Sequence, residues 1–311
     1  MKQTLLLTLS FIGFVVCKEQ AYATHFDDMD SPYGGCGLPS SLVTFPHYLA
    51  LNVQNTPGDY ENYLHRPIYE EGKVGAFNNG HNCGRFITVT LGKKCKIQRT
   101  TTPESLFCDE EDLEDDEYTG AHQMYQVADA CQDGHKWCRD DKNHVDLQFN
   151  SLKNFYKFPR KIDVTKKWGT ENRQVTWEYT QGPLTLMEIY FAQNANPLLP
   201  LIIISQISNG IDRVQQRING QWVDATMNGD MGQQWILHTT KDNTYQIKVI
   251  DVNGKAYHEK AYTFTFNRSI CKNLQCGIDH VAFKVNMIRS DILYFIDKPK
   301  VLQSEQLFLA Q

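Results

Sequence analysis

Residues 127–155 run VADACQDGHKWCRDDKNHVDLQFNSLKNF. A short apolar run, Met124 to Ala128, leads into Asp129. A loop bracketed by Cys131 and Cys138 follows, then a dense polar cluster of Arg139, Asp140, Asp141, Asn143 and His144. Asp146 sits between Val145 and Leu147, where alternation predicts a short strand. Two acids thus stand at the inner ends of two apolar segments tied by a cysteine-closed loop, which is the layout of a built site. Ser151 to Tyr156 is the best helical candidate, one or two turns long.

Outward from this stretch, the chain has 311 residues, room for two domains, with enough Tyr, Phe and Trp to build cores. Its formal net charge is −5. That balance gives no reason to expect nucleic acid or an anionic membrane surface as partner. At the start, Lys2, the apolar run Leu5 to Val16 and the small-x-small triplet Ala21-Tyr22-Ala23 predict a signal peptide over residues 1–23. The run is too short for a mature anchor. A secreted, soluble protein beginning at Thr24 is expected.

Cleavage there removes Cys17 and leaves Cys36, Cys83, Cys95, Cys108, Cys131, Cys138, Cys271 and Cys276. An even set in an exported chain reads as disulfides. Local spacing suggests Cys95–Cys108, Cys131–Cys138 and Cys271–Cys276, which leaves Cys36–Cys83; other connectivities stay open. A zinc set of Cys131, Cys138, His135 and His144 fits no standard spacing, and no metal or cofactor is expected.

Val43 to Val53 and Phe86 to Leu91 read as strands, with turn clusters at Pro32 to Gly37 and Asn78 to Arg85. The acidic run over residues 109–117 reads as a solvated insertion, with calcium or partner docking as the alternative. Basic residues Lys157, Arg160, Lys161, Lys166 and Lys167 mark a domain junction. Beyond it, seven short strands begin with Arg173 to Tyr179, and Asn209-Gly210, Asn219-Gly220 and Asn253-Gly254 supply hairpin signals. That spacing predicts an immunoglobulin-like sandwich. The reading is all-β: a barrel domain over 24–162, a sandwich over 163–272 and an extension over 273–311.

The Gly-rich turn, the segment Asn79 to Gly84, Val127 to Asp129, Asp146-Leu147 and Gly220-Gln221-Trp222, in this order, resemble bacterial expansins. The resemblance implies a six-stranded double-psi β-barrel, related to that of family 45 glycoside hydrolases, followed by a carbohydrate-binding-like sandwich. It implies a monomer that binds polysaccharide (β-glucan, cellulose or a peptidoglycan-like polymer) and loosens cell walls without cutting them. By motif, Asp129 and Asp146 fall on the groove acids. The family's threonine has no clear counterpart, and Tyr33 is the nearest sugar-contacting side chain. The aromatic pair of the sandwich falls on Pro197 to Pro200, which lacks rings; Trp222 and Trp235 read as core or shoulder residues.

Two other readings stand beside this one. In an endo-β-glucanase, Asp146 is the general acid and Asp129, Asp27, Asp28 or Asp30 supplies the base. In an interaction protein, the fold is kept and other surfaces work. The structural reading of Asp129 and Asp146 is that they accept backbone N–H groups and fix loops. A copper brace at His25 requires cleavage after Thr24, against the small-residue pattern.

Overall fold

The computed structural model describes residues 18–29, 35–37, 43, 45–57, 67–96, 108, 110–131, 135–165, 173–183, 187–192, 194–205, 207, 209–228, 233–266 and 283–284. Its first half is a closed ring of six strands: β1 (Glu19–Phe26), β2 (Tyr48–Asn52), β3 (Phe86–Cys95), β5 (His122–Cys131), β6 (Val145–Gln148) and β9 (Arg173–Thr180). The ring order is β1-β6-β2-β5-β3-β9, and β9 returns to β1. The pairs β1–β6 and β2–β5 are parallel and the other four antiparallel. This is the expected six-stranded double-psi barrel. Short strands β4 (Leu113–Glu114), β7 (Phe155–Lys157) and β8 (Arg160–Ile162) hang from its rim.

Alternation decides what each strand buries. Ala21 and Ala23 of β1, Leu49 and Leu51 of β2, Val127 of β5, Val145 and Leu147 of β6, and Val175 and Trp177 of β9 fill one core. The residues between them face outward.

Three expectations change here. The sequence signals no strand before Val43, yet β1 runs across the cleavage point expected after Ala23. Ala21 pairs with Val175 of β9, and Ala23 with Val145 of β6 and Arg173 of β9. Second, β9, read as the first sandwich strand, is a barrel strand, since β1 and β3 both need it to close the ring. The barrel therefore spans residues 19–180, wider at both ends than 24–162. Third, the acidic run is partly built in: β4 pairs with Lys94 and Cys95, and the Asp116 carboxylate takes the buried Arg173 guanidinium.

The second half is a sandwich. One sheet orders β14 (Thr226–Asn228), β15 (Gln234–Ile236), β11 (Leu201–Ser205), β10 (Glu188–Phe191) and β18 (Phe283–Lys284). The other orders β13 (Gln221–Asp224), β12 (Ile211–Ile218), β16 (Thr244–Asp251) and β17 (Tyr262–Thr265). Trp235, Phe191, Tyr245 and Phe264 lie in the core between them. The Asn219-Gly220 hairpin forms as its residues demand, with φ of 49° and 84°. β18 comes from the segment expected as an extension and pairs with β10.

Disulfides join Cys36–Cys83, Cys95–Cys108 and Cys131–Cys138. The expected Cys271–Cys276 pair lies outside the described residues. Cys36–Cys83 closes a separation of 47 residues, worth about 4 kcal/mol in the chain-entropy account.

A chain beginning at Thr24 lacks the β1–β9 ladder from Glu19 to Ala23. It should show no cooperative melting transition by circular dichroism, whereas a chain beginning at Lys18 should. Equal melting of the two would contradict the closure of the ring through β1.

Candidate functional site

The outer barrel face across β1, β6, β2 and β5 carries the two predicted acids. Thr24 registers with Asp146, Asp146 with Ala50, and Ala50 with Asp129. A bulge between Leu49 and Ala50 turns Asp129, rather than Ala128, into this row. The row thus reads Thr24-Asp146-Ala50-Asp129, with the small Ala50 leaving the floor low between the acids.

The two acids sit differently. Asp146 is half-buried, and its Oδ1 accepts the Thr24 hydroxyl at 2.8 Å. Asp129 is buried, and its Oδ1 accepts the N–H of Gly35 and, at 2.8 Å, that of Ala130. A Cβ at Gly35 would stand 2.3 Å from the Ala130 Cβ, so only glycine lets this turn dock. Two spacings between neighbouring strands set the acids roughly 9.5 Å apart at the backbone.

Behind the row is a buried support. His144 has no exposed surface, and its Nε2 lies 2.8 Å from Thr24 Oγ1. With the Thr24 hydroxyl donating to Asp146, the imidazole Nε2–H donates to Thr24. His144 Nδ1 faces Asp141 Oδ2 at 3.6 Å, and the same Oδ2 accepts the Tyr22 N–H at 2.6 Å. Asn143 Nδ2 donates to Glu19 Oε2 at 3.0 Å and to the Gln20 carbonyl at 3.3 Å. The Arg139–Asp140 pair, at 3.0 Å and buried, fixes the loop's other end, as its sequence suggests.

Aromatic rings lie on both sides of the row. Tyr22 and Phe26 sit two residues either side of Thr24 on the same face of β1, each about 6.6 Å along the strand. Tyr22 pairs with Trp137 of α1 (Lys136–Asp140) at 6.0 Å between centroids. Phe26 pairs with Tyr48 at 6.0 Å. Tyr48 Oη donates to Asp28 Oδ1 at 2.7 Å. Burial first, then Asp28 and Asp129, push the Tyr48 phenol upward, so it stays a neutral donor.

Of the other sequence candidates, Tyr33 and Asp30 lie outside the described residues. Asp28 lies in the bend two residues past the end of β1, where its Oδ1 accepts the Tyr48 hydroxyl. His25 lies inside β1 with its ring 5.1 Å from that of Phe149, which does not fit a copper brace at a free amine. Cys131, Cys138 and His144 do converge within 4.8 Å. The disulfide removes the thiolates a zinc site needs, and Nε2 of His144 faces Thr24. On the sandwich, Trp235 is core, Trp222 is half-buried under Lys248 Nζ at 4.6 Å, and Leu198 and Leu199 are exposed without rings.

Sequence reasoning missed Thr24, Tyr22, Phe26, Tyr48 and the support given by His144. The alternation Ala21, Ala23 against Tyr22, Thr24, Phe26 carried the signal, but Ala-Tyr-Ala also matches a cleavage pattern.

No protein-family model and no curated protein sequence matches the chain. Among solved structures, the chain is similar to apo Clavibacter michiganensis expansin, with 16% identity, covering 77% of this chain and 88% of that one at a TM-score of 0.49. It is also similar to a point mutant of that expansin in complex with cellohexaose, at the same identity and coverage and a TM-score of 0.46.

The His144 geometry makes a separable prediction. His144→Gln places an N–H donor near the position of Nε2 and should keep the Thr24–Asp146 arrangement; His144→Phe removes the donor. Thermal melting should drop for the Phe variant by the equivalent of about 1–3 kcal/mol, with the Gln variant nearer wild type. A larger loss in the Gln variant than in the Phe variant would show that ring shape, not the hydrogen bond, is what the site requires.

Proposed function

We propose that this is an exported polysaccharide-binding protein that loosens cell-wall glycan networks without cleaving them, through the groove on the outer barrel face. The observation that carries the reading is the half-buried Asp146, aimed by Thr24 and flanked by aromatic rings on both sides. Sugars present hydroxyls at their edges and C–H groups on their faces. A fixed carboxylate accepts from the first, and tilted rings cover the second. A chain seated here exchanges hydrogen bonds to its neighbours for bonds to Asp146. The expansin structure bound to cellohexaose is in keeping with this ligand class.

Binding without cutting follows from the division of labour between the acids. Hydrolysis needs an acid and a second carboxylate free to activate water or attack, within about 9.5 Å of the first. The buried Oδ1 of Asp129 is engaged by two backbone N–H groups. Asp28 is engaged by Tyr48.

Export rests on the three disulfides and on the apolar start of the chain. The cut falls upstream of β1, because Glu19 to Ala23 are ladder and core. Intact-mass analysis of the secreted protein should give an N-terminus before Glu19; a terminus at Thr24 would contradict this.

The deciding experiment is a pull-down on insoluble cellulose, chitin and peptidoglycan, with wall extension and reducing-end assays run in parallel. Wild type should bind at least one polymer and release no reducing ends. Asp146→Asn should weaken binding about ten-fold or more and lose extension activity. Failure on all three polymers, or reducing-end release that Asp146→Asn abolishes, would overturn the reading.

A further inference from the structure

Of the basic residues read as a domain junction, Lys166 and Lys167 lie outside the described residues. Lys157, Arg160 and Lys161 belong to the β7–β8 hairpin, which extends the barrel sheet beyond β5 through His122 and Tyr156. His122 begins β5 and Asp129 lies seven residues on, so the hairpin leaves the barrel roughly 23 Å from the groove row. Its tip is Phe158-Pro159. Phe158 is 85% exposed, among the largest exposures of any apolar side chain described. Lys153, Lys157, Arg160 and Lys161 against Asp163 give residues 153–163 a net charge of +3, in a chain of net −5.

The register decides what such a tip fits. Lys157 pairs with Arg160, so both lie on one face of the hairpin; Lys161 pairs with Tyr156 on the other. Arg160 therefore flanks the tip on one face, beside Lys157, whose Nζ donates to the Glu117 carbonyl at 2.8 Å, and Lys161 flanks it on the other, with the phenyl ring at the apex. A polysaccharide strand lies along one face and needs ring and charges together on it. An apolar apex with cations on both faces suits a planar anionic surface instead: the ring enters the acyl boundary and the cations meet headgroups. A cavity of about 280 Å³ opens at the hairpin's flank, lined by Glu117, Tyr118, Arg160, Lys161, Ile162 and Asp163. Its mixed charges make it no anion site of its own.

We infer that the β7–β8 hairpin is a docking tip for an anionic phospholipid surface, at the far end of the barrel from the glycan groove. The chain's overall negative charge argues against membranes only on average; the tip reverses the sign locally.

The test is co-sedimentation of the full chain with vesicles of phosphatidylcholine alone and of phosphatidylcholine with roughly one third phosphatidylglycerol. Wild type should bind the anionic vesicles and not the neutral ones. Phe158→Ser should weaken binding about ten-fold. The Lys157→Ala, Arg160→Ala, Lys161→Ala triple variant should weaken it about five-fold per cation. Both variants alter side chains at the hairpin end and should melt as wild type does. Equal partition to both vesicle types, or unchanged binding in Phe158→Ser, overturns the proposal. So does capture by polygalacturonate with no capture by vesicles, which makes the tip a polyanion site. None of these outcomes bears on the groove, which the pull-down tests separately.

Discussion

Asp141, Asn143 and His144 put their side chains onto one strand. Asp141 takes the Tyr22 N–H, Asn143 holds Glu19 and Gln20, and His144 meets Thr24. These bonds fasten β1 to the loop before β6, and β1 is what closes the ring between β6 and β9. β1 and β6 run parallel and more than a hundred residues apart in sequence, so no tight turn sets their register. Polar bonds of about 1 kcal/mol each, specific in position, set it instead. Slip β1 by one residue and Ala23 and Thr24 exchange faces, emptying the core and the groove together.

The same loop explains why the two acids differ. Asp146 follows His144 by two residues and inherits a fixed neighbour in Thr24. Asp129 lies near the end of β5 beside the Gly35 turn and serves that turn. Asp146 meets a side-chain hydroxyl and Asp129 meets backbone N–H groups. The aromatic rings come from the strands that carry the polar row and from α1, so the groove is built on elements whose position the barrel fixes. The sandwich contributes exposed leucines where a platform of rings would be, and Trp222 is covered by Lys248.

Much of this was legible from residues alone, where local pattern and tertiary demand agree. FITVTL and VDL alternate and are strands; Asn219-Gly220 can adopt positive φ and makes its hairpin; short cysteine spacings pair. Asp129 and Asp146 were found because acids at the ends of apolar segments are conspicuous. What escaped was set by partners distant in sequence. β1 hid because small residues at alternate positions serve a barrel core and a peptidase equally well. β9 hid because its spacing suits the sandwich that follows, and only β1 and β3 claim it for the barrel. The helix at Lys136–Asp140, five residues with no side-chain cap, carries too little local signal to place. Thr24 went unseen because its role depends on β1.

The central claim is that Thr24 acts on the ligand through Asp146. A double-mutant cycle with Thr24→Val and Asp146→Asn, read as affinity for a soluble oligosaccharide of the bound polymer by calorimetry, measures it directly. The account predicts that the double variant binds no more weakly than Asp146→Asn alone, a coupling of about 1 kcal/mol or more. Additive losses, with both single variants folded, would contradict it.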